Sequence, residues 1–455
     1  MKNKKVIVTL KYCKGEINPF DGAALEVALE MGFSDVTVVA MAPPSTEASL
    51  RSLTRLGINA ILLTDPLYAG SDTVATSYIL AELIKTLDAD IIFAGRQSID
   101  GDTAQVPPML AQRLGFSLAG KVVELREGKL ITRRGDEVSL DGHSVITFER
   151  MRTLRFPSMF SKPREVKVID NAALMLDASR VGLRGSPTRV IKSYESTVGR
   201  RACRFIDKCE LDRVIKESVG KERKEGIISG GAKVPEAFYF GNIKELTEGI
   251  AEVATFVDHA GMDPDTVARL LCERGAKVAL FEGTDSLKEL AARVAVVLEA
   301  GLCADCISFR AEDGKFVMTR PAGGGNVTAD IVATSDIALA TVKTAESGGA
   351  DIVFSVGKGA IPYIDKIKDM SAAYGAELCC SRIVTDSGRM PYSAQVGLTG
   401  KSVAPSVYVC FGISGAVQHT VGISGARTVI AINNDKNSTI FDYADYGIVA
   451  DLNDL

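Results

Sequence analysis

Histidine is scarce in this chain, with three in 455 residues, at positions 143, 259 and 419, and tryptophan is absent. An enzyme relying on several imidazoles has little to draw on. The nine cysteines are an odd number and scattered, which argues against a disulfide framework. Cys303-Ala-Asp-Cys306 is a lone CxxC with no second pair or suitable histidine nearby. It reads as two small buried residues beside a strand rather than a metal or thiol redox site. The formal charge of −4 gives no broad basic field, so nucleic acid is not an expected partner. No uncharged apolar run approaches the roughly 18 residues of a membrane span, so the chain is not expected to be membrane-embedded. Met1-Lys-Asn-Lys-Lys leads directly into Val6–Leu10, too short and too soon followed by Lys11 for a signal sequence, and the expected location is cytoplasmic. No GxGxxG follows a strand. Gly397-Leu-Thr-Gly400-Lys401-Ser402 imitates the end of a P-loop, but Gln395 stands where its first glycine would fall.

What is present is alternation. From residue 5 to about residue 115, strand-like runs (Lys5–Leu10, Val36–Met41, Ala60–Leu63, Ile91–Ala94) precede amphipathic ones (21–31, 46–56, 72–87 and 103–114). That order signals βαβ units and a parallel sheet. Hairpin-like pieces follow at 122–125, 129–133 and 144–148. Residues 150–223 break the pattern with Pro157, Pro163, Pro187 and a charged run, and read as a solvated loop or as an extended arm with a short helix over 210–219. A second α/β stretch spans 237–342 and a third runs from 343 to 455. The expected fold class is α/β: three Rossmann-like, doubly wound parallel-sheet domains joined by an extended arm. The expected boundaries are 1–195, a linker with a short helix over 196–236, then 237–342 and 343–455.

The richest segment is 380–451. Short β-branched runs at 406–410, 428–432 and 447–450 alternate with turns of Gly, Ser, Thr and Asn. A parallel sheet presents backbone N–H groups and hydroxyls to a phosphate-bearing cofactor in this way. Arg382, Thr399 and His419 add a cation, a hydroxyl and an imidazole suited to a redox ring. In Phe411-Gly-Ile-Ser-Gly-Ala-Val-Gln-His419 a strand ends and a helix can begin near Ser414 as N-cap, with Gly415 and Ala416 leaving room for a ligand. The alternative is a capped helix with an incidental histidine. Upstream, Asn18-Pro-Phe-Asp21 precedes a helix that Asn18 or Asp21 could cap, and residues 95–105 follow the strand Ile91–Ala94. Their Gly, Ser, Thr and Asp content suits a nucleotide at the strand's carboxyl end, or an ordinary helix start.

These motifs together resemble the electron transfer flavoprotein family with its two subunits fused. Residues 1 to about 195 are similar to the small (beta) subunit through NPFDGAALEVAL at 18–29, GRQSIDGDTAQV at 95–106 and VGLRGSPTRV at 181–190. Residues from about 205 are similar to the large (alpha) subunit through LCADCISF at 302–309, TRPAGGGN at 319–326 and the block 380–452. The resemblance implies FAD contacts at Ser381, Arg382, Val396, Gly397, Leu398, Thr399, Ser414, Gly415, Ala416, Val417, Gln418, His419, Asn433, Asp451 and Leu452. Lys358 stands where the family usually has Arg, Leu398 where Gln is common, and Asn434 where Lys is common. Arg382, Thr399 and His419 are then the residues that tune the flavin. A unit charge at about 4 Å in an effective dielectric near 20 contributes on the order of 4 kcal/mol before desolvation.

The resemblance also implies a second nucleotide, AMP or FAD. Its expected contacts are Thr9, Asn18, Pro19, Phe20, Asp21, Met41, Gly95, Arg96, Gln97, Ser98, Ile99, Asp100, Gly101, Asp102, Thr103, Ala104, Gln105 and Val106. Val106-Pro-Pro108 departs from the family's VGP, and the hairpin of some twenty residues usual between the first strand and NPF is missing. Partner docking would use Arg155-Phe-Pro-Ser-Met-Phe160 with Phe156 as anchor, or that aromatic is buried against the arm. The implied function is a single-chain electron carrier. It accepts electrons from an acyl-CoA dehydrogenase-like flavin dehydrogenase and passes them to a quinone oxidoreductase or other redox acceptor. The alternative is an electron-bifurcating flavoprotein whose second FAD oxidises NADH.

Overall fold

The computed structural model describes residues 4–13, 15–133, 135–195, 200–220, 228–323, 327–343, 350–397 and 400–454. The fold is α/β, and the chain divides into two compact units. The first comprises Met1–Lys192, Ser229–Gly323 and Ala329–Val342; the second comprises Ser193–Ile228, Gly324–Thr328 and Lys343–Leu455.

The first unit is built on two parallel arrays. In the larger, the order is Val166–Ile169, Asn59–Leu63, Asp35–Met41, Lys5–Leu10, Ile91–Gly95, Ser144–Phe148 and Ser117–Arg126, all parallel, continued by the antiparallel strands Lys129–Thr132 and Glu137–Val138. The edge strand Val166–Ile169 comes from the proline-containing stretch that sequence had as loop or arm. The central strands are mostly buried and rich in Val, Ile and Phe, as a parallel sheet covered on both faces requires. In chain order the arrangement reads third, second, first, fourth, so the direction of winding reverses between Lys5–Leu10 and Ile91–Gly95. The smaller array runs Ala251–Phe256, Val234–Phe240, Val278–Glu282, Ala338–Val342, Gly301–Cys306, again parallel.

Val74 and Met109 from the first half share one hydrophobic cluster with Phe238, Phe281 and Leu287. Polar contacts join the same stretches: Gln105 Nε2 donates to Leu302 O at 3.3 Å, and Arg113 pairs with Glu299 at 3.0 Å. Residues 1–192 and the middle segment therefore pack as one body.

The second unit holds one six-stranded parallel sheet: Arg204–Phe205, Tyr446–Val449, Thr428–Asn433, Val407–Phe411, Ile352–Val356, Glu377–Cys380. Its last five strands have the doubly wound order 2-1-3-4-5, with the reversal between Ile352–Val356 and Val407–Phe411. The helix Leu211–Ser218 contributes Leu211, Val214 and Ile215 to this unit's core beside Phe354 and Phe411. Among the described residues no helix is long and apolar enough to cross a membrane.

Candidate functional site

In open parallel sheets, ligands lie in the crevice outside the carboxyl ends of the strands where winding reverses. In the second unit that crevice opens after Val356 and Phe411. Its floor is two glycine backbones: a Cβ on Gly357 would collide with Gly412 O, and one on Gly412, itself at φ 59, would lie 2.7 Å from Ala360 N. Gly359 N donates to Gly412 O at 3.2 Å, which closes the two turns on each other. Lys358, beginning the 3-10 helix Lys358–Tyr363, is exposed at the rim.

The neighbouring strand Glu377–Cys380 ends at Ser381, which precedes the short helix Arg382–Asp386. Both Ser381 and Arg382 are half-buried. The guanidinium leans on Asp386 at 3.3 Å with its side chain 30% exposed, so the cation faces outward with one partial counter-charge. Gly397 at φ 136 follows the buried Val396. Leu398 and Thr399 lie outside the described residues.

On the other side of the crevice, sequence predicts a helix capped by Ser414, but the helix is Val417–Thr420 with Ala416 at its N-cap. The cause is Gly415, held at φ 89, where any Cβ would strike Ile440 N. That turn must finish before a helix can start. Ser414, Ala416 and Gln418 are exposed, Val417 is half-buried and Gly415 is buried. Asn433 spends its amide on structure, donating to Ile413 O at 3.0 Å and Ser438 Oγ at 3.1 Å. Asp451 is exposed and caps Asn453 N at 2.9 Å, while Leu452 belongs to the core.

His419 is 5% exposed and turned into the protein. Its Nε2 lies 3.0 Å from Tyr408 Oη and its Nδ1 lies 3.1 Å from Val396 O. Burial pushes its pKa down to about 4, so the ring is neutral at ordinary pH. Sequence suggests an imidazole suited to a redox ring, and here both of its nitrogens are engaged by protein groups.

The first unit has a matching crevice after Leu10 and Gly95. Here its centre is filled by a carboxylate. Asp21 Oδ2 accepts from Lys11 N at 2.8 Å and Oδ1 accepts from Gly95 N at 2.9 Å. Desolvation pushes the carboxyl up to about 7 against those hydrogen bonds. Asn18 occupies the N-cap of Pro19–Glu30, yet its side chain caps nothing there and donates instead to Gln97 O at 2.8 Å. Phe20 is buried, with Arg96 5.6 Å above its ring, and Pro19 is half-buried. Thr9 and Met41 sit on the Lys5–Leu10 and Asp35–Met41 strands near the same end.

Residues 96–105 form a loop braced both from within and from neighbouring segments. Gln97 Nε2 donates to Asp102 Oδ1 at 3.2 Å, and Thr73 Oγ1 donates to Gln105 Oε1 at 2.7 Å. Lys11 pairs with Asp100 at 2.8 Å, and Gly323 N donates to Asp100 O at 3.1 Å. The helix predicted from Thr103 begins at Val106, because Asp102 at φ 52 and Ala104 at φ 54 cannot continue a right-handed helix. Gly101 lies 3.3 Å, by its would-be Cβ, from Ser98 Oγ, and Ile99 is exposed. Sequence missed the carboxylate plug, since an Asp three residues into a helix looks like an ordinary first-turn acid.

Among the described residues no group of three or more His, Cys, Asp or Glu could hold a metal ion. Phe156 and Phe160 are each 96% exposed, on a loop whose Arg155 grips the buried Glu26 at 2.6 Å.

Residues 6–137 and 235–350 match the model of the electron transfer flavoprotein domain, and residues 348–424 match that of the electron transfer flavoprotein FAD-binding domain. The chain belongs to the electron transfer flavoprotein family. The beta subunit of Thermoanaerobacterium thermosaccharolyticum is 38% identical over 196 residues, covering 38% of this chain and 74% of the relative. The alpha subunit from the same organism is 30% identical over 300 residues, 53% of this chain and 91% of the relative. The acryloyl-CoA reductase electron transfer subunit beta of Anaerotignum propionicum is 31% identical over 293 residues, 46% and 79%. Counterparts of both flavoprotein subunits are thus joined in one electron-carrying chain with an FAD-binding domain. The crevice after Val356 and Phe411 fits that cofactor: its glycine floor lets backbone approach a ligand closely, and the cation Arg382 follows the carboxyl end of the neighbouring strand.

Proposed function

We propose that this protein is a single-chain, cytoplasmic FAD electron carrier. It accepts electrons from an acyl-CoA dehydrogenase-like flavin dehydrogenase and passes them to a quinone oxidoreductase or other redox acceptor. The observation that carries this reading is the glycine-floored crevice at the winding reversal of the second unit, with Arg382 beside it. FAD, when bound, supplies a ring that takes up and releases electrons.

Ser381, Ser414, Gln418 and Lys358 offer polar groups along the crevice mouth, and the Arg382 guanidinium favours negative charge there. Thr399 completes the set that the family resemblance implies. The loop 95–106, with Thr9 and Met41 beside it, holds the second nucleotide, AMP or FAD. Asp21 keeps the amides of Lys11 and Gly95 for itself, so phosphates bind on the loop rather than at the crevice floor. The Phe156 loop, rigid at Arg155 and apolar at its tip, suits a transient partner surface. A relative named as an electron transfer subunit of acryloyl-CoA reductase supports a partner that works on CoA thioesters.

The DGDTAQV wording at 100–106 resembles that of many bifurcating family members and supports a second reading, in which a second FAD oxidises NADH and the chain bifurcates electrons. Denaturing the purified protein and separating the released nucleotides by chromatography decides between them. FAD with AMP supports the carrier, and two FADs bleached directly by NADH support bifurcation. A chain that holds no flavin even after incubation with FAD overturns both.

A further inference from the structure

Beside the first unit's crevice the strand ends gather positive charge. Arg96 follows the strand Ile91–Gly95, and Glu149 follows its parallel neighbour Ser144–Phe148. On the next parallel strand, Ser117–Arg126, pairing slips between Ile146 and Phe148, and Lys121 takes up φ 63 at the slip. Lys121 N donates to Thr147 Oγ1 at 2.9 Å, and Lys121 O accepts from Arg133 N at 2.8 Å. Backbone contacts thus carry Arg96, Lys121 and Arg133 to one edge of the sheet.

The charges in this group are unevenly satisfied. The buried Glu149 places Oε1 2.9 Å from Arg96 Nε and 3.0 Å from Arg133 Nη2. Lys121 pairs with Asp285, and Lys288 with Asp305. Burial lowers the Lys121 pKa, Asp285 opposes this, and Arg96 and Arg133 push it further down, so the three cations share one electrostatic neighbourhood. Hydrogen bonding runs short at Arg96. Its side chain is 12% exposed, yet Nε is out of line for a hydrogen bond to Glu149, and Nη2 is also buried with no hydrogen-bond partner among the described residues. Native structures seldom leave buried donors unspent. A guanidinium fork matches the oxygens of a phosphate, and an ammonium adds a point charge.

We propose that Arg96, Lys121 and Arg133 form a phosphate-binding subsite in the first unit, on the side of the Ile91–Gly95 strand end away from Lys5–Leu10. Asp21 closes the crevice floor to anions, whereas this group offers donors and positive charge. The family resemblance assigns Arg96 to the nucleotide loop; its guanidinium lies against Glu149 and over the Phe20 ring. The ligand is a phosphate group, belonging either to the second nucleotide itself or to a separate phosphorylated compound. The subsite does not rest on flavin in the second unit.

The test is calorimetric titration of inorganic phosphate into the full-length protein at constant ionic strength, first with its nucleotides bound and then after their removal. Binding to the nucleotide-loaded protein marks a separate phosphorylated ligand. Binding that appears only after removal marks a phosphate of the second nucleotide. Either result supports the subsite; no heat in either form, or the same response to chloride, overturns it. Protein purified without any second nucleotide would sink the nucleotide reading and leave the phosphate titration to decide the subsite.

Variants sharpen the assignment. Lys121→Met and Arg133→Met should each weaken phosphate binding about tenfold, the loss of one charge-assisted contact. Lys129→Met removes an equally basic side chain from the same hairpin, where Lys129 pairs with Glu137, and should change affinity by less than about twofold. Lys121→Arg keeps the charge and should retain most of the affinity, which covers the case in which methionine at 121 prevents folding. Glu149→Gln is the most telling, because the carboxamide keeps the shape and an acceptor while releasing Arg96 and Arg133 from a carboxylate. Phosphate should then bind about tenfold tighter. A purely structural ion network gives no such gain, so a folded Glu149→Gln protein that binds phosphate no better than wild type refutes the subsite.

Discussion

The crevice of the first unit, after Leu10 and Gly95, and that of the second, after Val356 and Phe411, each lie where the winding of a parallel sheet reverses. Their contents differ. In the first, a buried carboxylate receives two backbone amides; in the second, glycine backbones press together and a guanidinium stands at the side. The middle array repeats the first pattern, because Glu282 Oε2 accepts from Asn242 N at 3.0 Å beside Gly241. A reversal of winding in a parallel sheet is therefore closed either by an acidic side chain on backbone amides or by glycine backbones. Topology alone locates three such places, and in the second unit two glycine backbones, not a carboxylate, close the floor.

The contrast can be broken at its strongest point first. Asp21→Ala should strand the amides of Lys11 and Gly95 and destabilise the first unit by about 4 kcal/mol, at roughly 2 kcal/mol for each unsatisfied buried donor. Thermal unfolding measures this, and a change under 1 kcal/mol would mean water replaces the carboxylate freely. Gly357→Ala is the counterpart in the second unit, where backbone must shift to admit a methyl. A loss of about 3 kcal/mol with released flavin is expected, and unaltered flavin content would show that the floor yields.

The units should also respond to pH with opposite sign. His419 has a folded pKa near 4 against an ordinary value of 6.5, so its contribution is present above pH 6.5 and disappears as pH falls toward 4. By linkage this amounts to about 3 kcal/mol. Asp21 runs the other way: raised from 3.8 to about 7, it favours the folded state most below pH 3.8 and progressively less as pH climbs to 7. Denaturant titrations at pH 5 and 7.5 on His419→Gln and Asp21→Asn should each remove one limb of this profile. Parallel profiles for wild type and both variants would contradict the assignment. The smallest effect concerns Arg382→Ala, expected to lower the flavin potential by roughly 59 mV, a tenfold one-electron change; an unmoved spectroelectrochemical titration would remove Arg382 from the site.

Much of this was legible in sequence where periodicity and chemistry coincide. The runs Lys5–Leu10 and Ile91–Ala94 reappear as strands because uninterrupted β-branched residues bury both faces of a parallel sheet. The turn after Phe411 was legible as a break between strand and helix from its glycines. What escaped depends on contacts distant in sequence. Ser414 looks like a cap until Ile440 packs against Gly415. Thr103 looks helical until the left-handed Asp102 and Ala104 are seen. Val166–Ile169 is short and follows prolines, and only the free edge of Asn59–Leu63 makes it a strand. His419 stood out as the single imidazole of its segment, but its inward orientation required Tyr408, eleven positions earlier on a different element.

Each compact unit is assembled from separated stretches of polypeptide. Arg204–Phe205 and Leu211–Ser218 belong to the sheet and core completed only by residues beyond 343, with the whole middle array synthesised in between. During translation, Leu211, Val214 and Ile215 must wait for well over a hundred further residues before their burial site exists. The two bodies are thus laced by interleaved connections, and no single proteolytic nick can release either one as an intact domain.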